Sequence, residues 1–264
     1  DWSSDVCSSD LDDVFFARFN MSADTWDAID GASDRDILID GAPNGAANAC
    51  DLVVRSDGDI VVVYQKAVDK VMGSPFERVG LSVSTSANRG ETWSAVVRVD
   101  NQGAVQLDMT GPRIVLSASN GKAFDDYSYI FWAIESNNSH FQRALSSADV
   151  LQTERSLSIA SGANHGSYPF GHGVSFDRGA TTKVRISTGN GVDHYIVQFD
   201  AETDPSSFSN VLMDSSTSDL LINSSIVSCV ANDGSTVHVL IGNGADSDLY
   251  TIDDGDSDTW GLFV

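Results

Sequence analysis

The chain repeats itself, and no other feature constrains its fold as strongly. The segments DLVVRSDGDIVVVY, RIVLSASNG, GVSFDRGATTKVRIST and IVSCVANDGSTVHVLIGN each read as a strand followed by a tight polar turn. Their turn glycines, Gly58, Gly121, Gly179 and Gly234, are separated by 63, 58 and 55 residues. Such turns require φ > 0, which glycine reaches without steric cost. A second series of landmarks ends at Trp26, Trp93, Glu154, Phe208 and Trp260, with spacings of 67, 61, 54 and 52. The two series drift together, and the last two units even share a loop, GNG at Gly189 and again at Gly242.

Helical periodicity is nearly absent; short runs of Val, Ile, Phe and Tyr are punctuated by Gly, Asp, Asn and Ser. Each unit resolves into four strands, which in the best-preserved one fall near 52–56, 60–65, 79–85 and 94–99. Four-stranded sheets repeated at this length build an all-β β-propeller, in which each antiparallel blade covers the apolar face of its neighbour. A two-sheet sandwich would not require a repeat in register. Residues 12–30 hold only the last two strands of a blade, so about 4.5 blades are visible and five or six are expected in the intact protein.

The third turn of the best unit, SANRGETW, resembles the Asp-box of the bacterial neuraminidase repeat in the sialidase superfamily. Ser86, Gly90, Thr92 and Trp93 match that box, and Asn88 stands where it has Asp. TIDDGDSDTW resembles the box with two residues inserted, keeping Asp253, Gly255, Thr259 and Trp260. SADVLQTE keeps Ser147, Asp149 and Thr153, SADTW is a shortened form, and SFDRGATT falls on a first turn, where the box does not belong. The resemblance implies a hairpin device in which the Asp or Asn accepts turn amides and the Trp covers the blade end. It also implies that ligands bind at the opposite ends of the blades, so the boxes speak for fold and not for chemistry.

The opening, DWSSDVCSSDL, has no apolar period and neither the basic residues nor the apolar core of a secretory signal. Back-translated, it resembles a synthetic sequencing adapter. Residues 1–11 are therefore set apart, residues 12–264 are read as one propeller domain lacking its native start, and the compartment is left open, with extracellular or virion-associated placement favoured. The 15 basic and 38 acidic residues give a net charge of −23, which argues against nucleic acid as a partner. No apolar run approaches the length of a membrane span. Cys50 and Cys229 match no metal spacing and are read as buried thiols.

Residues for a site should come from loops 41–51, 66–78, 101–113, 161–173 and 214–224. The second carries Lys66, Glu77 and Arg78; the fourth, NHGSYPFGHG, carries His165, Tyr168 and His172. Aromatics beside polar groups suit sugar stacking and hydroxyl recognition, so a glycan or other small polar ligand is the expected partner. The sialidase resemblance implies three Arg clamping a carboxylate, a Tyr nucleophile and an Asp acid/base. Arg113, Asp108 and Tyr168 are the candidates, yet no second and third Arg can be placed, because Arg55, Arg143 and Arg185 fall in expected strands and Arg89 on an Asp-box turn. The sequence thus favours a recognition or structural module over a sialidase-type glycoside hydrolase. No cofactor is expected; Asp254, Asp256 and Asp258 have the opening of a calcium loop but lack its glycine.

Overall fold

A computed structural model describes residues 2–5, 14–26, 36–40, 47–69, 78–101, 109, 111–117, 124–134, 139–157, 173–178, 181–189, 194–200, 209–214, 227–230, 236–242, 247–253 and 261–263. Every regular element among them is a strand, and all pairings are antiparallel. The chain divides into two compact units, 1–112 and 113–264.

The first unit holds two sheets. One is a four-stranded meander: β5 (Ala47–Val54), β6 (Ile60–Asp69), β7 (Arg78–Ser86) and β8 (Val97–Arg98), paired in that order. In the other, β2 (Val14–Asn20) pairs with β3 (Thr25–Trp26) and, further along the same edge, with β4 (Asp36–Asp40). Its opposite edge is taken by β1 (Trp2–Asp5), from the segment that the sequence sets apart. Pairing is through backbone groups, so any short extended segment can cover an otherwise open edge whatever its side chains.

The second unit holds three meanders of the same order. They are β9 (Arg113–Leu116) to β12 (Arg155–Leu157) by way of β10 (Ser128–Ile134) and β11 (Ser139–Leu145); β13 (Gly173–Arg178), β14 (Thr181–Gly189), β15 (His194–Asp200) and β16 (Ser209–Asp214); and β17 (Val227–Val230), β18 (Thr236–Gly242), β19 (Ser247–Asp253) and β20 (Gly261–Phe263). The first strands β9, β13 and β17 lie side by side, and the Ser175 hydroxyl donates to the Leu116 carbonyl between two of them. Gly173 is required at this seam, since a side chain there would meet Val115 and Ile186.

The central strands β6 and β10 are apolar and buried on both faces. IVVVY in β6 and the whole of β10, SYIFWAI, are buried end to end, which is why strict alternation is missing from the sequence there. In the first unit Val14, Phe16 and Ile39 pack on Ile60, Val62 and Tyr64. In the second, Val115, Tyr129, Phe131 and Leu157 pack on Val184, Ile186, Val197 and Phe199. Each such side chain contributes about 1.5–3 kcal/mol.

The turn from β7 to β8 is held by side chains. Ser86 Oγ accepts Gly90 N–H at 2.8 Å and donates to Asn88 Oδ1 at 3.0 Å. Asn88 Oδ1 also accepts Thr92 N–H at 2.9 Å, and Nδ2 donates to Thr92 Oγ1 at 2.9 Å. An Asp would instead accept from that hydroxyl, so Thr92 serves either residue by rotating one proton. Gly90 has φ +91° and lies under the Phe16 ring, which meets Trp93 edge to face with centroids 5.4 Å apart. The corresponding turn from β11 to β12 is built differently: Ser146, not Ser147, bonds Val150 N–H, and Asp149 takes the left-handed position at φ 59°. A tight turn of this size has no room for the longer box. Asp253 ends β19, and Gly255, Thr259 and Trp260 lie outside the described residues.

Three expectations are corrected. The β6–β7 ladder runs through a register shift to pair Asp69 with Arg78, so residues 66–69 and 78 of the expected 66–78 loop, Lys66 and Arg78 among them, are ladder residues, while 70–77 lie outside the described residues. Likewise β5 begins at Ala47, inside the expected 41–51 loop. Cys50 is not a free thiol but disulfide-bonded.

Candidate functional site

In each complete meander the turns after the first and third strands lie at one end of the sheet. The connections after the second and fourth lie at the other, here termed the loop end. Arg113 opens β9, the first strand of its sheet, at the loop end. It is half-buried, and its Nε is buried with no hydrogen-bond acceptor among the described residues. A buried guanidinium N–H without an acceptor costs desolvation, which a bound anion would recover.

The strand register places Arg113 opposite Phe131, Phe131 opposite Gln142, and Gln142 opposite Arg155. These four form one row across one face of the sheet. Gln142 is 1% exposed and its Nε2 has no acceptor among the described residues. One row nearer the loop end, His140 stands opposite Ala133 and Leu157. Its Nε2 lies 3.3 Å from Thr188 Oγ1 on the facing sheet, both side chains being buried. Arg113, Gln142, His140 and Thr188 thus bring polar donors and acceptors to an otherwise apolar interface between two sheets. Three of these were missed from sequence. The available signal was SHFQRAL, whose alternation puts His140 and Gln142 on the face that buries Ala144.

No other arginine described in this unit converges on Arg113. Arg143 projects from the opposite face of the sheet, and its Nε donates to Gln152 O at 2.6 Å near the turn end. Arg185 lies on the far face of the β13–β16 sheet, beside Gln198. Arg155 shares the row of Arg113 but sits three strands away, roughly 14 Å at ordinary strand spacing. Arg178 is at the turn end.

In the first unit the loop end carries Lys66, paired with Ala47 and Gly80. Gln65 Nε2 donates to the Met109 carbonyl at 2.6 Å. Asp100 is buried; it accepts Leu81 N–H at 2.8 Å and the Arg98 guanidinium at 2.7 Å. Arg55 is not in a strand; it follows β5 in the first turn, which Gly58 closes at φ +93°. Asp108, Glu77, His165, Tyr168 and His172, together with Asp254, Asp256 and Asp258, lie outside the described residues. Among the described residues no three His, Cys, Asp or Glu come together as a metal site. Among the described residues no helix is long and apolar enough to cross a membrane.

No protein-family model and no curated protein matches this sequence. Solved structures match it in fold. A protein of unknown function from Dyadobacter fermentans superposes with a TM-score of 0.58 at 13% identity, covering 96% of this chain and 71% of its own. An α-L-arabinanase from Penicillium chrysogenum, complexed with arabinobiose, gives 0.55 at 11% identity, with 95% and 72% covered. The NanB sialidase of Streptococcus pneumoniae, as its K499G mutant, gives 0.52 at 10% identity, with 88% of this chain and 32% of that one covered. The fold is a β-propeller of four-stranded antiparallel blades. Sialidases, an arabinanase and an arabinofuranosidase share it.

Proposed function

We propose that this chain is a sialidase-like Asp-box propeller that acts as a carbohydrate-recognition module, extracellular or virion-associated, with Arg113 engaging an acidic group of the glycan. The observation that carries this reading is the half-buried Arg113, with its buried, unsatisfied Nε at the loop end of a first strand. Gln142 supplies a further buried donor in the same row, and within the same unit His165, Tyr168 and His172 of the fourth loop would add aromatic and polar contacts; Lys66, Glu77 and Arg78 remain candidate ligand contacts of the first unit. Two of the fold neighbours are a sialidase and an arabinanase holding arabinobiose, which supports a glycan as the ligand class.

A second reading is an exo-acting glycoside hydrolase of sialidase type, with Arg113 in the carboxylate clamp, Tyr168 as nucleophile and Asp108 as acid/base. Fold similarity to sialidases favours it; the absence of a second arginine beside Arg113 among the described residues of its unit weighs against it. A glycan screen run together with fluorogenic sialoside and arabinoside substrates separates the two. Retention of acidic glycans without turnover supports recognition, turnover of the sialoside supports the sialidase-type hydrolase, turnover of the arabinoside alone contradicts both readings, and neither retention nor turnover overturns both.

A further inference from the structure

The sequence Asn20-Met21-Ser22 fits the N-x-S/T pattern of an N-glycosylation acceptor. We propose that Asn20 is a site of N-linked glycan attachment. Asn20 ends β2, where the chain turns into β3. Its Oδ1 accepts the N–H groups of Ser22 and Ala23, each at 3.1 Å, so the carboxamide spans the acceptor tripeptide in an Asx turn. Because the carboxamide is planar, this points Nδ2 away from those backbone amides. Residues Met21 to Thr25 are all exposed, Met21 by 54%, so a bulky substituent has open space around the turn.

Attachment of this kind takes place in an oxidising lumen, where disulfides also form. That is also where a lipid-linked oligosaccharyl diphosphate serves as glycosyl donor. In the transfer, the bond from the sugar C1 to the diphosphate oxygen breaks and the bond from C1 to Asn20 Nδ2 forms. Nδ2 gives up one proton to the transferase, and the lipid diphosphate leaves with the electron pair.

The position explains how a glycan could be carried without blocking the loop end. Arg18 Nη1 donates to the Arg89 carbonyl at 3.1 Å, tying β2 to the β7–β8 turn. A glycan on Asn20 therefore covers the turn end of the first unit, including the exposed Met21, and leaves the end that carries Lys66 open. Two further tripeptides of this pattern start at Asn137 and Asn223, which lie outside the described residues.

The test is secretion of the full chain from a eukaryotic host, followed by peptide mapping before and after an N-glycosidase that converts a glycosylated Asn to Asp. The expected result is a glycan on the Asn20 peptide and Asp at position 20 after digestion. Ser22→Ala, at an exposed residue whose side chain the turn does not use, abolishes that modification, whereas Ser22→Thr retains it. Secreted wild-type chain with unmodified Asn20, or modification that survives Ser22→Ala, overturns the proposal.

Discussion

Replacing Gly90 by Ala tests the construction of the β7–β8 turn most sharply, because two separable costs fall on one methyl group. At φ +91° the backbone conformation itself disfavours an L side chain by about 1–2 kcal/mol. The new Cβ would also run into the ring of Phe16. Phe16 is 1% exposed and held by Trp93 and the cluster of Ile60, Val62 and Tyr64. It cannot swing aside, so overpacking adds about 1–3 kcal/mol. The total, about 2–5 kcal/mol, corresponds to a fall in Tm of roughly 10 °C for a chain of this size. Gly58→Ala is the control, since φ is +93° there and the nearest atom, Arg89 Nε, is 4.0 Å from the new Cβ. It should cost only the backbone share. Urea unfolding followed by tryptophan fluorescence gives both values, and a Phe16→Leu background should shrink the Gly90→Ala penalty while leaving that of Gly58→Ala unchanged. Equal penalties at the two glycines, or no relief from Phe16→Leu, would refute the reasoning.

Other substitutions probe the remaining contacts. Asn88→Ala removes three hydrogen bonds within the turn and should cost about 2 kcal/mol in denaturant unfolding, whereas Asn88→Asp should stay within about 1 kcal/mol because Thr92 can reverse its hydroxyl. Asp100→Ala strands the buried Leu81 N–H and releases Arg98, for a loss of about 2–4 kcal/mol in the same assay; Asp100→Asn, which can still accept from Leu81, should lose about half as much. Reduction and alkylation should label Cys50 only after a reductant is added, and the reduced chain should melt at a lower temperature.

Much of the fold was legible because a blade is a local object. The expected strands 60–65 and 79–85 lie within β6 and β7, and the glycine at position 58 takes the positive φ that its turn required. The end of β6 was not legible: KAVDKVM looks like a polar connection, but its first residues continue the ladder through a bulge, which backbone pairing permits and side-chain pattern does not reveal. The edge strand β1 was missed for the same reason, since pairing at an open edge makes little demand on sequence. The state of Cys50 depends on which sulfur comes near it in space, and spacing along the chain carries no such information.

The positions of some candidate residues were legible. Arg113 stood out as a cation at the start of an inner strand, and it does open β9. His140 and Gln142 did not stand out, because polar residues in a short strand normally mark its solvent face; here that face is covered by a second sheet, from which Thr188 meets His140. Arg143 and Arg185 were expected within strands, and they lie in β11 and β14.

Calorimetric titration of the chain with an acidic sugar, N-acetylneuraminic acid first, tests the central claim most directly, with Arg113→Gln titrated alongside. The account predicts saturable binding by the unsubstituted chain, weakened at least tenfold in Arg113→Gln with its unfolding transition unchanged, as expected on losing about 1.5–3 kcal/mol of charge-assisted hydrogen bonding. Equal affinity of the two proteins for the sugar, or no binding to either across acidic sugars, would contradict it.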